Sequence, residues 1–410
     1  MRALAGFDTP LDLPCGARIK NRFLKSAMSE QLADRVHDPT PGLARLYQLW
    51  AAGGVGLQVT GNVMVERTAL GEPGNVVLDE RSDLAAFERW ARAGRNHGAH
   101  VFMQLNHPGK QANRFLAREP VAPSAIPIAA GLERAFNPPR ALGEAEIERI
   151  VERFATAARL AQRAGFTGVQ IHGAHGFLVN QFLSPRHNQR TDRWGGSAEN
   201  RRRFVLEVYR AIRAAVGDRY PVCIKLNSAD FQRDGFSEEA SLAVGEALAA
   251  AGIDLVEISG GTYEAPAMMG AVASLDTRQR EAYFVEYAEK AVGRLRVPVA
   301  VTGGFRSGVA MRDALRRGAT DMIGMARPFA VCPDFPNRLL ADGSAAVKIE
   351  RPSTGVRAID LFSMLDVTWY QAQLERLSRG VPPRASLSAW RAVAQTVRRA
   401  GVHAFARRRA

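Results

Sequence analysis

The chain is poor in cysteine, in acid relative to base, and in long apolar runs. Only three cysteines occur among 410 residues, Cys15, Cys223 and Cys332, and they lie far apart. There is no CxxC pair, which excludes an iron–sulfur cluster or a cysteine-rich zinc site. An odd, sparse count also argues against a disulfide framework. No stretch of about 20 apolar residues is present, so no spanning helix is expected. The first residues, MRALAGFDTPLDLP, lack the apolar run of a signal peptide. A cytoplasmic protein is expected.

Acids are outnumbered, 41 against 55 Lys and Arg, for a net charge of +14. That balance favours anionic partners such as nucleic acid, acidic lipid or phosphorylated ligands. The excess is uneven. Residues 341–410 hold 12 Lys/Arg and 5 Asp/Glu, and the segment after Val381 has seven arginines and no acid. With 46% hydrophobic and 23% charged residues, the composition is globular.

Short β-rich runs alternate with longer amphipathic ones. Strands are expected at 22–27, 56–61, 100–106, 168–172, 221–227, 255–259, 298–302 and 321–323. Helices are expected at 144–164, 200–216, 237–251 and 309–317, each followed by a glycine that stops it (Gly165, Gly217, Gly252, Gly318). Eight strand–helix units predict an α/β fold, a TIM (β/α)8 barrel over residues 1–340, with a C-terminal helical extension and basic tail over 341–410. The rival doubly wound sheet usually carries GxGxxG after its first strand, and none stands there. In the extension, helices are expected at 359–379 and 387–400, separated by Val381-Pro-Pro-Arg384. Long rim loops are expected around 107–142, 176–198 and 260–280.

Polar and glycine-rich residues follow most strands, which in a barrel places them on one rim. Val169-Gln-Ile-His-Gly-Ala-His-Gly-Phe177 puts His172 at a strand end and His175 three residues on. Such a pair can bind zinc, act as acid and base, or hydrogen-bond a substrate oxygen; it can also be structural. Gln104 ends its strand and can pair with a planar heterocycle or simply cap a turn. Lys225 lies within a strand, where burial is costly unless it meets an anion or ligand; a Schiff base and a core ion pair are the other readings. Thr302-Gly-Gly-Phe-Arg-Ser307 and Gly324-Met-Ala-Arg-Pro328 follow the seventh and eighth strands, where barrels often hold a phosphate.

Together these segments resemble the old yellow enzyme family of NADH:flavin oxidoreductases, from about residue 12 to 340. The resemblance rests on Asn21-Arg-Phe-Leu-Lys-Ser-Ala-Met28, Gln104-Leu-Asn-His-Pro-Gly109, Ile171-His-Gly-Ala-His-Gly176, Asn180-Gln-Phe-Leu-Ser-Pro185, Arg190-Thr-Asp192, Gly195-Gly-Ser197 with Asn200-Arg201, and Gly303-Gly304 with Ala326-Arg327. It implies FMN as cofactor and NADH or NADPH as reductant. It also implies that Ser26, Ala27, Met28 and Asn62 line the isoalloxazine and that Gln104 bonds its pyrimidine edge. Lys225 would stand near N1 and the C2 carbonyl, and Gly303, Gly304, Ala326 and Arg327 would take the phosphate. His172 and His175 would hold the oxygen of a small-molecule substrate, polarising an activated alkene for hydride from flavin N5.

The family commonly has Tyr two residues after the second His, as proton donor. Here Phe177 stands there. Tyr263 or water then donates, or the substrate needs no donor, or the chain performs FMN-dependent dehydrogenation or NAD(P)H oxidation without ene-reduction. Ser29 follows Met28, where some members have a redox-tuning Cys. The contrasting class, a nucleic-acid-binding flavin barrel, is expected to use a reactive loop cysteine that this chain lacks. The basic tail is read as a solvated helix packed on the barrel or on a second subunit of a homo-oligomer, ahead of a membrane or nucleic-acid role.

Overall fold

A computed structural model describes residues 5–129, 131–266, 281 and 283–407. Eight strands form its centre: β1 (Phe23–Lys25), β2 (Leu57–Val59), β3 (His100–Asn106), β4 (Gly168–Gly173), β5 (Val222–Asn227), β6 (Leu255–Ser259), β7 (Val299–Thr302) and β8 (Met322–Met325). Each pairs in parallel with the next, and β8 pairs with β1, so the sheet closes. This is the expected TIM barrel.

Helices follow each strand in turn. They are α1 (Pro41–Ala52), α2 (Leu84–Gly94), α3 (Glu144–Arg163), α4 (Leu178–Leu183), α5 (Ala198–Val216), α6 (Glu238–Ala251), α7 (Val285–Arg294), α8 (Gly308–Arg316), α9 (Arg327–Val331) and α10 (Phe335–Ala341). Their apolar stripes pack on the outside of the barrel around residues such as Trp50, Phe154 and Phe204. Gly252 ends α6 in the left-handed region at φ 97°, where its N–H bonds back to the last turn. The other three expected stop glycines also have positive φ. Of the long loops, 107–142 carries a short parallel pair, Val121–Ala122 with Arg140–Ala141, and 176–198 carries α4. Residues 267–280 of the third lie outside the described residues.

The barrel interior is layered because strand side chains alternate in and out. Toward the strands' N-terminal ends it is apolar: Leu24, Leu57, Val59, Phe102, Cys223, Leu255, Ala300 and Met322 form one cluster. Leu11, Leu13 and Ile19 of an N-terminal hairpin complete it. The Cys15 N–H donates to Asp254 Oδ1 at 2.9 Å, which ties that hairpin to the start of β6. The next layer up is polar: Ser26, Gln104, Gln170, Lys225, Glu257 and Thr302, all buried.

The extension departs from expectation in two respects. The helix expected at 359–379 is two, α11 (Arg357–Phe362) and α12 (Leu365–Ser378). Met364 between them takes φ 46°, and the Thr368 hydroxyl donates to the Ser363 carbonyl at 2.6 Å. That bond satisfies a carbonyl that a continuous helix would have used. The final helix, α13 (Ala389–Arg407), runs beyond the expected 387–400. The linker between them is held to α12 by Gln373, which donates to the Arg384 carbonyl and accepts its N–H, both at 2.8 Å. Among the described residues, no helix is long and apolar enough to cross a membrane.

Candidate active site

The C-terminal strand ends surround a cavity of about 640 Å³. Ala27, His175, Lys225, Gly303, Gly304, Ala326 and Arg327 line it, so seven of the expected residues meet there. Ser26 stands just behind, its hydroxyl 2.7 Å from that of Thr302. Met28 packs against the core and Asn62 accepts from Asn75 Nδ2 at 3.3 Å beside Gly61 and Glu30. Neither is part of the cavity lining among the described residues.

Beneath the cavity runs a hydrogen-bonded chain. Gln104 Nε2 donates to Gln170 Oε1 at 2.7 Å, and Gln170 Nε2 donates to Glu257 Oε2 at 2.7 Å. Glu257 Oε1 accepts from Thr302 at 2.7 Å and from Lys225 Nζ at 3.1 Å. Burial raises the Glu257 carboxyl pKa, but Lys225 and the bonds from Thr302 and Gln170 outweigh that and leave it lowered. Glu257 is therefore ionised at neutral pH. Of the alternatives for Lys225, the structure contains the ion pair.

His172 stands one residue before the end of β4 and is buried; its ring lies edge-on to His175 and Phe177, at centroid distances of 5.3 and 4.7 Å. His172 Nδ1 accepts the Ala174 N–H at 3.4 Å, so its proton sits on Nε2. His175 takes φ 63°, with its N–H held by Asn227 Oδ1 and its Nε2 2.8 Å from Ser259 Oγ. Burial lowers the pKa of both imidazoles; His175 and Lys225 lower His172 further, and His175 falls to about 3. Both are neutral at physiological pH.

Tyr263 reaches this corner from the loop after β6. Its ring lies 5.8 Å from Phe177 and 6.4 Å from Phe136. Burial, then the charge of Glu72, raises its hydroxyl pKa, so it keeps its proton. The loop is fastened at the next residue: Glu264 accepts the Ala129 N–H at 2.9 Å and lies 3.7 Å from buried Lys110 and 3.6 Å from His187.

At the far end the lining is cationic, with Arg306, Arg327, Lys348 and Arg351, and Glu281 is the one acid in it among the described residues. Glu281 accepts the N–H groups of Arg306 and Ser307 at 2.7 and 3.1 Å. Gly303 and Gly304 have φ 123° and 98°, which opens their backbone to the cavity. A Cβ on Gly324 would meet Thr302 Oγ1 at 1.9 Å. The donor set suits FMN: a buried cation and carboxamide chain at one end, and arginines with glycine backbone at the other for the phosphate.

Sequence reasoning passed over Gln170, Glu257, Lys348 and Arg351. The first two carried a signal, since Gln170/His172 and Glu257/Ser259 are polar residues at period two inside apolar strands. The other two carried none. They enter the cavity because the chain returns after α10, where Gly308 donates to the Ala345 carbonyl and Val347 to that of Arg306, both at 2.8 Å.

The NADH:flavin oxidoreductase / NADH oxidase family matches residues 8–343. An NADH-dependent flavin oxidoreductase of Hypocrea jecorina (iliE) is 38% identical over 376 residues, covering 84% of this chain and 93% of the relative. An NADPH dehydrogenase of Geobacillus is 31% identical over 348 residues, covering 82% and 95%. The solved structure of morphinone reductase superposes with a TM-score of 0.68 at 25% identity, covering 86% of this chain and 93% of that one.

Proposed function

The chain belongs to the NADH:flavin oxidoreductase / NADH oxidase family, that of old yellow enzyme, and we propose that this FMN-dependent, NAD(P)H-driven enzyme reduces an activated alkene such as an α,β-unsaturated carbonyl. The observation that carries the proposal is the neutral pair His172 and His175 beside the Lys225 cavity. Bound FMN supplies the transfer of hydride from NAD(P)H to substrate. We assign its holding to Ser26, Ala27, Met28, Asn62, Gln104, Lys225, Gly303, Gly304, Ala326 and Arg327.

His172 offers its Nε2 proton to the substrate oxygen, and the Ala174 N–H fixes that tautomer. His175 adds a second contact, oriented by Ser259 and Asn227. Neutral donors polarise a carbonyl without giving up a proton. Tyr263 supplies the proton that Phe177 cannot, from a phenol kept protonated by burial. Phe177 and Phe136 around it exclude water, which strengthens each of these bonds.

Phe177 also favours a second reading, oxidation of NAD(P)H or dehydrogenation without ene-reduction. Anaerobic stopped-flow separates the two. NAD(P)H should bleach the yellow protein, and cyclohexenone should restore the colour. Bleaching that only oxygen reverses would select the second reading. A protein that takes up no FMN would refute both.

A further inference from the structure

Lys225 lines the cavity, and Glu257 backs it from the adjacent strand, one residue paired opposite the other in the β5–β6 register. Both side chains are almost wholly buried, at 3% and 0% exposure. A buried carboxylate is costly, and this one is secured on three sides: by Lys225, by Thr302 from β7, and by Gln170 from β4. Such fixation holds a negative charge 3.1 Å from the lysine that faces the ligand.

We propose that Glu257 sets the reduction potential of the bound cofactor by neutralising Lys225, making the flavin of this chain a stronger reductant than one facing an unpaired lysine. The inference rests on placing FMN in this cavity. In reduction, NAD(P)H delivers a hydride, two electrons and one proton, and leaves as NAD(P)⁺; the isoalloxazine gains one negative charge. An unpaired ammonium below the ring would stabilise that charge and raise the potential. A Lys–Glu pair presents little net charge, so the electrons stay at higher energy and pass on more readily to substrate. Gln104 and Gln170 extend the arrangement to β3, so the carboxylate cannot swing away from the lysine. Glu257 is not itself one of the lining residues; it is a positioning residue, held against Lys225 and Thr302, whose negative charge offsets that of the lysine.

Spectroelectrochemical titration of FMN-loaded protein at pH 7 tests the inference. Glu257→Gln keeps the side-chain shape and removes the charge. The two-electron equilibrium should shift toward reduced flavin by tenfold or more, about 30 mV per tenfold. Lys225→Met should shift it the opposite way, and Lys225→Met/Glu257→Gln should return to within tenfold of the parent. An unchanged or lowered potential in Glu257→Gln would overturn the inference, since a mere structural prop gives that result. Should Glu257→Gln fail to retain FMN, Lys225→Met and the double variant decide: equal potentials overturn it, and an equilibrium tenfold further toward reduced flavin in the double variant, about 30 mV, upholds it. A yellow, NAD(P)H-reducible protein whose potential ignores Glu257 defeats this inference alone. A parent chain that binds no FMN defeats the functional reading beneath it.

Discussion

The replacement of a phenol by a phenyl ring at Phe177 moves the proton question to Tyr263. Because Tyr263 reaches the same corner from another loop, Tyr263→Phe is expected to slow substrate reduction by about 10²-fold or more, the usual range for a general acid. Reduction by NAD(P)H should keep its rate, and separate stopped-flow of the two half-reactions checks both. An unchanged oxidative rate would eliminate Tyr263. The histidines make a different prediction. His175 titrates near 3 and buried His187 near 4, against about 6.5 in an unfolded chain. Between those values the unfolded state binds more protons, so stability is full above pH 6.5 and is lost as pH falls toward 4. Thermal unfolding across that window should show a falling midpoint, and His187→Gln should lessen the fall. A midpoint independent of pH there would contradict the neutral buried histidines.

Among the elements, β8 lies between β7 and β1 at the site. Gly324 leaves room for the Ser26–Thr302 bond, and a Cβ there would collide with Thr302 Oγ1. Gly324→Ala should cost about 1–3 kcal/mol of stability by overpacking and weaken FMN retention. Calorimetry and fluorescence titration measure the two. The eight strands were legible because each is an apolar run ending in polar residues, and the four helix stops because a glycine marks each one. Nothing at Ser363-Met364 announces a break, and it depends on the Thr368 hydroxyl five residues on. The site was legible where a residue sits at a strand end, as with His172, Gln104 and Lys225. It was not where a distant segment returns, as Lys348 and Arg351 do. The Lys225–Glu257 pair lay between these cases: both residues stand out in their strands, but which partner each meets is a matter of register.

For the whole molecule, the +14 charge divides by location. Arg306, Arg327, Lys348 and Arg351 gather at one end of a single cavity, and among the described residues the arginines beyond Val381 belong to the linker and α13. Lys348→Ala combined with Arg351→Ala should weaken FMN binding tenfold or more while leaving the thermal midpoint of the cofactor-free protein nearly unchanged. Isothermal titration with FMN alongside calorimetry of the apoprotein reads both, and full affinity in the double variant would remove these residues from the phosphate end.

Ala346, Val347, Lys348, Ile349 and Arg351 line the cavity although they follow the last barrel strand in sequence. During synthesis the N-terminal parts of a chain emerge and begin to order first. All eight strands can therefore leave the ribosome before the wall of the cavity is complete. The cofactor site is therefore expected to be complete only once the segment after α10 has joined it, so full FMN affinity should follow that segment rather than closure of the barrel.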